Sequence, residues 1–287
     1  MRYDAFSHYH PVVNFIFFVG AIACCVLIQH PAYLIAGLIA AASYYFCLRG
    51  RSAWKLLFGL LPVFLLVSAI NPLFNTSGEH ILFHLFGRPY TLEALCYGMV
   101  TAAMFVSTIL WFCCYNAVMT SDKFTSLFGN LHLSLLLVMI LRMIPSLAKK
   151  LRQIAGARRS IGMGSEKQDS LRQKVISGIC ILSAVTDHAL DGSIVTADSM
   201  RARGYGTGRR TNFQLYRMRT RDTLLLLLEA VLLLLLILFG KTAVSFTPRI
   251  LIQNISWSFA CYCAFMLLPT ILHVKEAIQW RISISRI

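Results

Sequence analysis

Long apolar runs alternate with short polar breaks as far as residue 116, a mixed and strongly basic segment follows, and two further apolar runs close the chain. The first run, Pro11 to Gln29, is about 19 residues, enough to cross roughly 30 Å of hydrocarbon at 1.5 Å per residue. His30-Pro31 interrupts it, and Pro31 to Leu48 predicts a second span. Arg49-Gly50-Arg51 and Lys55 precede a third, Trp54 to Ile70, where Pro62 predicts a kink. Leu92 to Asn116 predicts a fourth, Thr223 to Gly240 a fifth that is almost pure leucine, and Ile250 to His273 a sixth.

Two stretches fall between these classes. Asn71 to Tyr90 reads as a mostly irregular connection, in which Glu79, His80 and His84 fit one face of a short amphipathic helix at the membrane surface. Leu131 to Ile144 is apolar but only about 14 residues long, and it holds His132 and Arg142. A run of that length is more often buried or interfacial than spanning. Counting it as a span would also place Arg49, Arg51 and Lys55 on the side opposite the basic segment. Leaving it out predicts three helices on the cytoplasmic side: Leu147 to Ala157 after Pro145, Ser170 to Leu190, and Ile194 to Arg203. The expected fold is all-α and polytopic, with four spans in 1–119, a cytoplasmic helical region in 120–222, and two spans with a short basic tail in 223–287.

Composition strengthens that picture. Of 287 residues 57% are hydrophobic and 14% charged, against roughly 25% charged in soluble domains. The net charge of +15 would suit nucleic acid, but 16 of the 27 Lys and Arg lie between Arg142 and Arg221. Basic residues gathered beside membrane spans mark the cytoplasmic face, which puts both termini inside and favours the bilayer or an acidic protein surface over nucleic acid. Eight of the nine cysteines sit in apolar runs and none forms a Cys-x-x-Cys pair, so neither a disulfide framework nor a zinc site is indicated.

Several motifs are decoys. Gly240-Lys241-Thr242 ends like a phosphate-binding loop, but the first glycine of that motif would fall on Leu235. Gly204, Gly206 and Gly208 approach a dinucleotide fingerprint, but a helix precedes them where a strand is needed. No nucleotide or other cofactor site follows. Asp187 and Asp191 stand four apart, the spacing of magnesium-binding aspartates in membrane prenyltransferases, yet no second acidic cluster accompanies them. A magnesium-dependent membrane transferase on that pair is the alternative enzymatic reading. A permease with its own substrate path is a third, weakened by Glu93 and Glu229 reading as residues near span ends.

Two arginine elements remain. Ala157-Arg158-Arg159, within QIAGARRSIGMG, and Ala202-Arg203-Gly204, within MRARGYG, each pair a small residue with arginine near a predicted helix end, with glycines just beyond. Around the second stand Arg201, Tyr205, Arg209 and Arg210. A small residue lets a helix end press close to a surface, and arginine is an always-charged bidentate anchor. Two such ends suit a partner with two grooves.

In LRMIPSLAKKLRQIAGARRSIG, in TADSMRARGYGTGRRT and more loosely in HPVVNFIFF, the chain resembles the T component of energy-coupling factor transporters, the membrane scaffold of bacterial vitamin and metal-ion importers. The resemblance implies a non-catalytic subunit of the bacterial cell membrane, whose coupling helices dock in grooves of two ATP-binding-cassette ATPase subunits while a separate membrane subunit captures substrate. By position Ala202, Arg203 and Gly204 match the family's motif, and Ala157 and Arg158 match its first copy, where Arg159 replaces the usual glycine.

Overall fold

The computed structural model describes residues 5–75, 80–85, 88–127, 133–163, 170–208, 216–240, 244–245, 251–252 and 257–284. The chain divides into two compact units, one of 1–120 with 216–287, the other of 121–215.

The first unit holds the helices α1 (Pro11–Leu27), α2 (Pro31–Arg49), α3 (Ala53–Phe74), α4 (Leu92–Val118), α8 (Thr220–Phe239) and α9 (Ser258–Ile284). Both α1 and α2 begin with His-Pro. The Nδ1 atoms of His10 and His30 accept the N–H groups of Val12 and Ala32 at 3.3 and 3.2 Å, while proline takes the first helical position, where no N–H is needed. Gly50, at φ +59°, closes α2. Thr91 caps α4 by accepting the Ala94 N–H at 3.3 Å. Asp222 accepts the Arg219 N–H at 2.8 Å and the His10 N–H at 3.4 Å, tying the start of α8 to the start of α1.

Helix α4 packs against α1, α2 and α3, and α9 packs against α2 and α8. Apolar transfer gives little between helices that already sit in lipid, so close packing has to hold them together. Phe17 is the hub: its ring lies 5.2 Å from Phe6, 5.5 Å from Trp111 and 5.1 Å from Phe265, all with under 3% of their surface exposed. Tyr33 and Ser258 share a buried hydrogen bond of 2.7 Å. At Gly98 the backbones of α3 and α4 approach so closely that an added Cβ would stand 2.8 Å from the Ser68 carbonyl oxygen.

The second unit holds α5 (Ser121–Leu127), α6 (Leu133–Ser160) and α7 (Leu171–Ala202), with α6 and α7 in contact. Among the described residues, five helical runs suffice by length and apolarity alone to cross a membrane: Pro31–Phe74, Leu92–Val118, Leu171–Ala202, Thr220–Phe239 and Ser258–Trp280, with Pro11–Leu27 shorter.

The chain is an all-α polytopic membrane protein, with four departures from the expected elements. Helix α6 runs unbroken through Pro145, where separate segments were expected. Losing one backbone bond costs about 3 kcal/mol, less than abandoning the helical turns on both sides. The expected breaks between Leu190 and Ile194 are likewise absent: α7 passes Gly192, and Ser193 and Thr196 donate back to the carbonyls of Leu190 and Gly192 at 2.7 Å each. In place of an amphipathic helix, β1 (Ile81–Leu85) and β2 (Arg88–Thr91) pair as antiparallel strands. Finally, α9 begins at Ser258, not near 250, and two short strands, β3 (Val244–Ser245) and β4 (Leu251–Ile252), precede it.

Candidate functional site

The two arginine-bearing segments end their helices with the same backbone device. At the end of α6 the Met163 N–H reaches the Arg158 carbonyl at 2.9 Å and the Gly162 N–H reaches that of Arg159 at 3.0 Å. At the end of α7 the Tyr205 N–H reaches the Met200 carbonyl at 3.0 Å and the Gly204 N–H reaches that of Arg201 at 2.9 Å. This pair of bonds is the Schellman closure, and it demands a left-handed residue just beyond the helix. Gly162 and Gly204 supply it, at φ +79° and +78°.

Most side chains at these ends are exposed. Ala157 and Arg159 are exposed and Arg158 is half-buried, its Nε enclosed with no hydrogen-bond partner among the described residues. Arg201, Ala202, Arg203, Gly204 and Tyr205 are all exposed. Two guanidinium groups beside each closure also complement the negative end of the helix dipole. By charge and reach, exposed arginines in such a place suit a surface that carries carboxylates. Arg209 and Arg210 lie outside the described residues.

Arg158 corrects one boundary. The helix was expected to end near it; instead α6 continues to Ser160, and the closing glycine is Gly162. Arg159, at the position where glycine was expected, is thus a helical residue.

The other candidate groups do not assemble. Asp187 and Asp191 are exposed on α7, and no cluster of three or more His, Cys, Asp or Glu suited to a metal occurs among the described residues. Glu79 lies outside the described residues, and His84 sits on β1 in register with Pro89. None of the nine cysteines forms a disulfide. Glu93 lies at the start of α4, where both its oxygens accept the His80 N–H at 3.3 Å. Glu229 differs from expectation: it stands midway along α8, fully buried, with neither carboxylate oxygen hydrogen-bonded among the described residues. Counting from Thr220 rather than from the apolar edge would have placed it there.

A family model described as CbiQ, cobalt transport protein, matches residues 4–215, a stretch that includes both helix ends. The chain is also similar to the energy-coupling factor transporter transmembrane protein EcfT of Lactococcus lactis subsp. cremoris (strain MG1363), at 27% identity over 226 residues, which covers 74% of this chain and 82% of that protein.

Proposed function

The chain belongs to the CbiQ family of cobalt transport proteins, and on that premise we propose that it is the transmembrane scaffold of an energy-coupling factor importer. The observation that carries this reading is the pair of exposed, arginine-bearing, glycine-closed helix ends within one unit. Each end enters a groove on one of two ATP-binding-cassette ATPase subunits, with Arg158 and Arg203 as anchors, Ala157 and Ala202 allowing close approach, and Arg159 and Gly204 completing each contact. ATP binding and hydrolysis move the grooves. The long rigid helices α6 and α7 carry that motion to the membrane unit and to a neighbouring membrane subunit that holds the substrate, a vitamin or a metal ion. The scaffold itself catalyses nothing.

The region 120–222 lies in the cytoplasm in this reading, with both termini on the same side. Helix α7 is long enough to span, but Asp187 and Asp191 fall near its centre, with Arg172, Lys174, Asp198 and Arg201 toward its ends. An aspartate at the centre of a membrane helix costs about 2.5–3.5 kcal/mol, which favours a helix lying outside the bilayer.

The test is retention of ATPase subunits when the chain is extracted in mild detergent. Arg203→Ala should weaken docking by about 2–5 kcal/mol, the cost of leaving an acidic partner buried and unpaired, and ATP-driven uptake should fall with it while membrane insertion stays normal. A full-strength complex lacking both Arg158 and Arg203 guanidinium groups would overturn the reading.

A further inference from the structure

The turn between α2 and α3 gathers positive charge that no neighbouring acid in the sequence offsets. Gly50, at φ +59°, reverses the chain there, so that Arg49 at the end of α2 and Arg51 and Lys55 at the start of α3 fall within seven residues, all three exposed. The sequence holds no Asp or Glu from Ala5 to Gly78. Glu93 of the neighbouring α4 stands by His80, toward the opposite end of α3, where Gly98 meets Ser68. Other basic groups of the membrane unit have an acid close in sequence: Arg219 and Arg221 stand beside Asp222, and Lys275 precedes Glu276. Uncompensated cations at a membrane surface attract anionic headgroups, and the arginine fork matches phosphate geometry.

An exposed apolar line runs away from this turn. Trp54, Phe58, Leu61 and Leu65 recur at steps of four and three residues, which places them along one face of α3, and they are 55%, 64%, 52% and 57% exposed. From Trp54 to Leu65 the helix rises about 16 Å, close to half of the roughly 30 Å hydrocarbon core and so the depth of a single leaflet. Trp54 heads the line. Its ring stacks on Phe58 at 5.5 Å and meets Phe46 of α2 edge-on at 5.2 Å. This fixes an indole beside the cations, at the height where aromatic residues mark the boundary between membrane and water. A free phosphate would use the cations alone; a phospholipid uses both features. We propose that Arg49, Arg51 and Lys55 hold the headgroup phosphate of one anionic phospholipid, with an acyl chain laid along the line from Trp54 to Leu65. Charge selects the headgroup, because a zwitterionic lipid brings its own cation beside its phosphate and gains less from three basic side chains.

Two measurements test this on the full-length chain with the subunits it assembles with. In mild detergent, native mass spectrometry with equimolar phosphatidylglycerol and phosphatidylcholine of the same acyl chains should show one phosphatidylglycerol retained in preference. Arg51→Gln combined with Lys55→Gln should cut that preference about twenty-five-fold, about five-fold for each cation removed, and Arg51→Lys should keep it. Arg49 is left in place so that positive charge still orients α2 and α3 in the membrane. Equal retention of the two lipids by the wild type, or an unchanged preference in the double variant, overturns the proposal. Displacement of phosphatidylglycerol by an equal concentration of glycerol phosphate overturns it too, since the site would then be one for free phosphate. The second measurement asks what covers the apolar line: Leu61→benzoylphenylalanine, irradiated in the native membrane, should capture phospholipid. Capture of a protein subunit in its place gives that face of α3 to protein and overturns the lipid assignment.

Discussion

The two units are both built from helices but spend their apolar side chains differently. Every member of the buried hydrophobic cluster, from Phe6 to Leu268, belongs to the membrane unit. In the second unit α7 buries only Ser177 and Val185 along 32 residues, while Leu171, Leu182 and Val195 are 80%, 61% and 69% exposed. The membrane unit also exposes apolar side chains, such as Phe58 at 64%, but lipid is a solvent that accepts them. In the cytoplasmic placement proposed above the second unit has no such solvent, and its exposed apolar face then calls for protein contact. One unit buries a shared apolar core; the other leaves its longest helix largely uncovered.

The sharpest way to break this comparison is to remove both anchors of the second unit. Replacing Arg158 and Arg203 together with alanine should abolish ATPase retention in detergent extracts, a larger loss than either single change, because each anchor alone is expected to contribute about 2–5 kcal/mol. Thermal melting of the membrane unit should not move. A drop in that melting temperature matching the lost assembly would show that the arginines serve folding and not docking.

The converse experiment acts on the membrane unit alone. Gly98→Ala puts a methyl group 2.8 Å from the Ser68 carbonyl oxygen, an atom of the α3 backbone that cannot rotate away. Overpacking of this kind costs about 1–3 kcal/mol, and small residues at such crossings let membrane helices close. The expected outcome is a lower melting temperature for the purified chain, with ATPase retention unchanged at temperatures where the unit stays folded.

How much of this was legible in the chain depends on which force sets each element. Run length alone located α1, α2, α4 and α8 to within a few residues, since hydrocarbon thickness imposes it. The breaks expected at Pro145 and after Leu190 do not form, because the long helical turns that flank them outlast the local cost. The pairing of β1 with β2 was hidden for a related reason: its apolar residues suit an interface in either helix or strand, and Pro89 sits where it faces His84 across the ladder. At the candidate site the arginines and glycines could be read off directly. Their register could not, because it depends on which glycine adopts positive φ, and Gly162, Gly164 and Gly204 look alike in a sequence. Gly162→Ala and Gly204→Ala test that point together. Each forces a Cβ into the left-handed region at a cost of about 1–2 kcal/mol, with open space around Gly162 and Thr207 Oγ1 3.3 Å from the added carbon at Gly204. Equal losses of helix-end protection in hydrogen exchange should follow at the two ends.

The smallest expected effect concerns the acidic pair of α7. Asp187 and Asp191 are exposed, and no third ligand joins them in a metal-binding cluster among the described residues. Their spacing follows from helix geometry, which puts residues four apart on one face whether or not a metal is held. Exposed side chains away from caps and closures change stability by no more than about 0.5 kcal/mol, so Asp187→Asn with Asp191→Asn should leave both assembly and uptake near wild type. A magnesium-dependent transferase built on this pair requires the opposite, loss of activity with an intact complex. The same double variant therefore separates a solvated helix face from a catalytic one, and it does so in the unit whose exposed residues are otherwise read as contacts.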